Sequence, residues 1–206
     1  ALPKAVIAAV ILSVVLVFIF ARLMGRFGPS QIVPAGFLLS SVLHFTEYMH
    51  VHESPATWSL VIYFHIVALG AILLSGFWSL MTDAFAPRAA KHSFGRITGF
   101  GTLGGILGGI LAERVAKLSS AESVLLLLTA FHLLCAMVLL FARRSSLRPQ
   151  RSRKSDIVSP IKLFKRAPYL AMIALLVMAG TSSAIMLDYI FKAAASTRFD
   201  KGADLL

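Results

Sequence analysis

The feature that most constrains this chain is a succession of six apolar blocks, at residues 5–21, 32–45, 58–80, 97–111, 124–142 and 169–190, separated by polar breaks. A helix needs roughly 17–25 apolar residues to cross a hydrocarbon core about 30 Å thick, and most of the blocks have that length. Hydrophobic residues make up 58% of the sequence and charged residues 14%, and the mean hydropathy is +0.83. A soluble core cannot hide so large an apolar share. The expected fold is therefore all-α, a polytopic transmembrane helical bundle with the lipid bilayer as its solvent. Lys4 is the only charged residue before the first block, and no small-residue cleavage site comes before the next hydrophobic span, so the block reads as a permanent helix rather than a signal peptide.

Two blocks are short. The second has Pro34 near its start and reaches membrane length only if its helix runs from about Gln31 to about His50. The fourth must begin near Ser93 and continue past Glu113. With six spans, the loops sort into two sides of very different charge. One side collects Arg22, Arg26, Arg88, Lys91, Arg96 and the basic stretch 143–166; the other has Lys4, Arg114, Lys117, Lys192, Arg198 and Lys201. Cytoplasmic loops carry the Lys and Arg excess, so the first side is expected inside and Ala1 outside. The net charge of +11 is then a topology signal, and no nucleic-acid partner is expected.

The sequence also narrows the chemistry. Cys135 is the only cysteine and lies in an apolar run, which leaves no disulfide framework and no cysteine metal site. No nucleophile elbow, zincin motif or pocket-like carboxylate pair is present, so an enzyme is not expected, nor a cofactor. Gly99, Gly101 and Gly104 formally fit GxGxxG, but no strand precedes them. His44, Glu47, His50, His52 and Glu53 cluster after the second block, in what reads as an outside loop, without the spacing of a known zinc motif. No metal is expected there. His65 and His132 stand alone in separate spans, where packing or helix bonding is the ordinary role, although an ionisable group inside the membrane is by default a functional candidate.

Three groups stand out as candidates. Gly101, Gly105 and Gly109 repeat every four residues beside Gly104 and Gly108, giving a bare helix face on which another helix can pack closely. Asp83, Arg88, Lys91 and Arg96 gather in a short loop on the basic side, where opposite charges across neighbouring helix ends can latch a gate in one state. Asp188 and Lys192 lie one helical turn apart near the end of a span, placed to bind an anionic group or to couple to an ion.

Phe77-Trp78, followed by Asp83, Pro87-Arg88, Ala90-Lys91, Phe94-Gly95 and the glycine helix, resembles the connection between the fourth and fifth helices of the nucleotide transporter family. That family includes the ADP/ATP translocases of plastids and intracellular bacteria with their bacterial relatives, and belongs to the major facilitator superfamily. The run Asp188-Tyr189-Ile190-Phe191-Lys192-Ala193 looks like the end of the seventh helix in the bacterial relatives.

The resemblance implies a facilitator-type fold of which this chain is a part, covering roughly the second to seventh helices. Residues 1–142 would form most of the N-terminal bundle, 143–166 the basic cytoplasmic linker, and 167–206 the first helix of the C-terminal bundle. It further implies alternating-access transport of a small anionic solute such as ATP or ADP across a bacterial inner membrane. The remainder of the same polypeptide would be a necessary partner. A start at Ala1 without an initiator Met and an end shortly after a hydrophobic span agree with a fragment of about half a transporter.

Overall fold

The computed structural model describes residues 2–85, 87–145 and 168–198, with the side chains of 2–6, 87–92, 143–145, 168, 188, 192 and 195–198 outside the description. The described residues fall in two compact units, divided after Gln150. All the regular structure among them is helical.

The first unit opens with α1 (Leu2–Phe27) and turns at Gly28 into α2 (Pro29–His50). Gly28 holds φ +84°, a conformation that costs an L side chain but not glycine. Pro29 then begins α2, where a missing N–H is no loss. Pro55 starts α3 (Pro55–Phe64) in the same way, and the helix runs through a π-helical turn at His65–Leu69 into α4 (Gly70–Ala84). Phe85 is extended at φ −110° and ψ 133° and ends that rod before α5 (Pro87–Leu118) begins. A short turn leads from α5 into α6 (Ser123–Ser145). In that turn the Glu122 carboxyl is held below its ordinary value, chiefly by its own backbone N–H, then by the Ser120 hydroxyl, with a smaller contribution from His52.

Five helices among the described residues are long and apolar enough to cross a membrane: Ile7–Phe27, Pro55–Ala84, Ser93–Leu118, Ser123–Ala142 and Tyr169–Phe191. Both short blocks are lengthened at their ends as the sequence requires, to Pro29–His50 and to Pro87–Leu118. Even so, α2 does not qualify by composition among the five, against the six expected. The physical reason is its polar stripe, for Ser40, Ser41, His44 and Glu47 all lie on it and all are buried.

Packing explains how such a helix is tolerated. α2 runs along α6 and also meets α1, α3 and α4, so its polar groups face protein. Large apolar side chains point the other way on the surrounding helices, as with Phe18 at 74% exposure and Phe100 at 75%. An apolar exterior around a polar interior is the arrangement lipid selects, because a polar group in hydrocarbon has no water to bond. The tightest helix approach is at Gly36 of α2 and Gly76 of α4, both of which face the Phe20 ring of α1.

The second unit contains α7 (Pro168–Arg198) among its described residues. Its large apolar side chains, including Met172, Leu176, Ile185 and Phe191, are exposed, and Thr181 returns its hydroxyl to the Val177 carbonyl at 2.7 Å. The stretch 146–167, which holds most of the expected linker, lies outside the described residues.

Candidate functional site: a buried histidine–glutamate cluster

Ser40, His44 and Glu47 follow one another at i, i+4 and i+7 on α2, which puts them on a single helical face. That face meets α6 and is reached by His65 of the π-helical turn. Glu47 is 1% exposed and His44 2%, yet neither is unsatisfied. His44 Nδ1 stands 2.9 Å from Glu47 Oε2, and His65 Nδ1 stands 2.8 Å from Glu47 Oε1. An ionised carboxylate only accepts hydrogen bonds, so each imidazole presents Nδ1–H to its own oxygen.

The chain of bonds continues beyond the carboxylate. His65 Nε2 lies 2.8 Å from Ser40 Oγ, and the same hydroxyl lies 2.8 Å from His132 Nδ1 of α6. His132, Ser40, His65, Glu47 and His44 thus form one continuous hydrogen-bonded path across three elements. Beside it, Ser41 donates to the Thr129 carbonyl at 2.9 Å and ties α2 to α6. The edge of Phe37 closes on His132, with ring centroids 5.5 Å apart and planes at 79°. Among the described residues no buried side-chain polar atom is left without a partner.

His65 owes its place to the π-helical turn that it opens. Such turns insert one residue into a helix and recur at functional sites. The ligating atoms of His44, Glu47 and His65 all lie within 4.8 Å of one another, close enough to gather round a cation. The rings, however, are 4.2 Å apart and only 33° from parallel, so their in-plane nitrogens run side by side, each to a separate carboxylate oxygen. That is the geometry of two hydrogen bonds more than of one coordination centre.

A membrane bundle built round a satisfied row of ionisable groups is the arrangement of a protein that moves something across the bilayer. The family model described as Major Facilitator Superfamily matches residues 5–200. The chain belongs to the major facilitator superfamily. Comparison with curated proteins and with solved structures finds no match. This facilitator chain is accordingly a multi-pass membrane protein of a superfamily of transporters.

The residues singled out from the sequence are distributed differently from the cluster. Asp83 lies in the last turn of α4 and is exposed, as is Arg96 of α5. Arg88 and Lys91 stand in the first turns of α5, with side chains outside the description. The aromatic residues of the same motif do meet, Trp78 packing edge-on against Phe94 at 5.4 Å. A Cβ at Gly101, Gly104, Gly105, Gly108 or Gly109 would meet nothing within 4 Å, so the glycine face of α5 is open among the described residues. Asp188 and Lys192 share one face of α7, four residues apart, and their side chains also lie outside the description.

The histidine-rich stretch of this facilitator is divided by the structure. His44 and Glu47 do not belong to a loop: α2 continues to His50, and both are buried inside it. His50 instead stacks on Trp58 at 5.3 Å and gives its Nδ1–H to the Thr46 carbonyl at 2.9 Å. His52 and Glu53 are exposed in the following turn. Ser40 is not among the candidates read from the sequence, although its spacing of four and seven residues to His44 and Glu47 marks a shared helical face.

Proposed function

We propose that this facilitator chain is the larger part of the N-terminal bundle, with the start of the C-terminal one, of a secondary transporter working by alternating access. In this reading 1–142 is the first bundle, 143–166 a cytoplasmic linker and 167–206 the entry to the second bundle. The observation that carries it is the hydrogen-bonded path from half-buried His132 to buried Glu47 and His44 in helices of membrane-spanning length, since ionisable groups inside a bilayer are costly and mark solute or ion routes. Facilitator-type transporters hold their sites near the midplane between bundles that rock against each other.

The substrate class that fits best is a nucleotide or another anionic metabolite, taken up across a bacterial inner membrane. Support comes from the Phe77-to-Gly95 motif and the Asp188-to-Ala193 run, and from Lys192 as a point charge suited to phosphate. Uptake of labelled ATP by cells expressing the full-length protein tests this. Saturable uptake accelerated by internal ADP is the expected result. No uptake from protein shown to be folded in the membrane would assign the bundle to another solute.

Asp83 with Arg88, Lys91 and Arg96 would act as the cytoplasmic latch of the same cycle. Asp83→Asn is expected to shift the balance between inward-open and outward-open forms, read as altered cysteine-labelling accessibility on the two sides. Unchanged accessibility and uptake kinetics would remove the latch.

A further inference from the structure

The geometry points to the path His132–Ser40–His65–Glu47–His44 as a proton-binding site that holds one exchangeable proton on His65, as an imidazolium paired with Glu47, and couples it to transport. The inference deepens the transport reading and rests on it for the coupling, while the proton site itself stands on the hydrogen bonds.

The Ser40 hydroxyl has one hydrogen and two imidazole neighbours, each at 2.8 Å. It must donate to one and accept from the other. Glu47 meanwhile accepts an Nδ1–H from both His44 and His65. With Glu47 ionised and His44 and His132 neutral, two arrangements keep every bond. In the first, His65 is neutral with a bare Nε2; Ser40 donates to it and accepts Nδ1–H from His132. In the second, His65 is an imidazolium whose Nε2–H donates to Ser40, and Ser40 donates to His132 Nδ1, whose own hydrogen is now on Nε2. The two differ by one proton, and every hydrogen bond survives with the direction of two of them reversed.

Passing between the arrangements balances without any further group. A proton arrives at His132 Nε2, the proton of His132 Nδ1 moves to Ser40 Oγ, and the former Ser40 proton moves to His65 Nε2. Release is the same sequence reversed. The occupied arrangement pairs the Glu47 carboxylate with an imidazolium whose Nδ1 lies 2.8 Å away.

The titratable groups turned to this carboxylate are His44 of α2 and His65 of the π-helical turn, with His132 of α6 reached through Ser40. On the other elements packed against α2, Arg22 and Arg26 of α1 and Asp83 of α4 stand exposed, and Tyr63 of α3 lies against Phe64. No cation among these competes for the carboxylate in the described residues. A conformational change that opens His132 to water on one side, or that brings another positive charge to Glu47, would load or discharge the site.

The test uses the full-length protein in nanodiscs and needs no substrate. Difference potentiometric titration between about pH 5 and about pH 9, spanning ordinary histidine titration, should count one proton fewer per chain in Glu47→Gln than in the wild type. Ser40→Ala keeps the carboxylate and both of its imidazoles but cuts the link to His132. It is expected to retain the proton count and to slow relaxation after a pH jump at least tenfold. Equal proton counts in wild type and a folded Glu47→Gln overturn the site. Unchanged relaxation in Ser40→Ala overturns the path through His132, and serves alone should Glu47→Gln not fold. In proteoliposomes an inward proton gradient should then accelerate ATP uptake in the wild type and not in Glu47→Gln. A proton count that is met while no ATP moves counts against the nucleotide reading and leaves the proton site in place.

Discussion

Glu47→Ala is expected to lower the unfolding free energy of the first unit by about 2–4 kcal/mol, measured by denaturant titration of the full-length protein in detergent micelles or nanodiscs. The substitution removes the only acceptor of two imidazole N–H groups, at 2.9 and 2.8 Å, in a place where neither can turn to water. Each orphaned buried donor costs roughly 1–3 kcal/mol, and hydrogen bonds within membrane bundles fall toward the lower end of that range. Glu47→Gln should cost about 1 kcal/mol on the same scale. Its carbonyl oxygen still accepts from one imidazole, and the other meets an amide N–H by moving its own hydrogen to Nε2. For His65 that hydrogen points at Ser40 Oγ, which is already within 2.8 Å. Wild-type stability in Glu47→Ala would mean that the cluster does not hold α2 to its neighbours.

Much of the fold can be read from the sequence because the bilayer imposes a length. All six apolar blocks become helices of spanning length, five of them apolar enough to cross a membrane, and even the extension of the short blocks follows from the need to cross the hydrocarbon. What escapes that logic is local. The π-helical turn at His65–Leu69 has no composition of its own, because a single inserted residue changes neither hydropathy nor period enough to show.

The site was legible only in pieces. The sequence groups His44 and Glu47 with His50, His52 and Glu53, because spacing alone does not say that the first two are buried in α2 while the helix ends at His50 and gives way to an exposed turn. His65 and His132 lie 67 positions apart on different helices, and no periodicity connects them. The serine that joins them is one of two adjacent serines, and nothing in the sequence tells Ser40 from Ser41. A cluster of this kind becomes visible when an apolar helix carries polar residues at i, i+4 and i+7 while other spans each carry one isolated histidine, since inside a membrane each of those groups needs a partner.

Glycines give the opposite lesson. The repeat on α5 is the more conspicuous in sequence, but the close approach in the structure is made by Gly36 and Gly76, which belong to no repeat. A Cβ on Gly36 would lie 2.8 Å from Leu73 Cδ2 and 3.3 Å from Phe20 Cε2; one on Gly76 would lie 3.0 Å from Val33 Cγ2 and 3.1 Å from Phe20 Cε1. The Phe20 ring is thus seated on bare backbone from two helices at once. Gly36→Val is expected to destabilise the first unit by about 1–3 kcal/mol, the usual cost of overpacking a filled interior, because Leu73 is itself buried and cannot swing clear without disturbing α4. Gly105→Val, in the same denaturant assay, should change stability by less than about 0.5 kcal/mol if its face is as open in the full-length protein as among the described residues. A loss at Gly105 comparable to that at Gly36 would instead show that the glycine face is covered by another helix of the polypeptide. The pair of variants therefore separates a crossing already formed among the described helices from one made outside them.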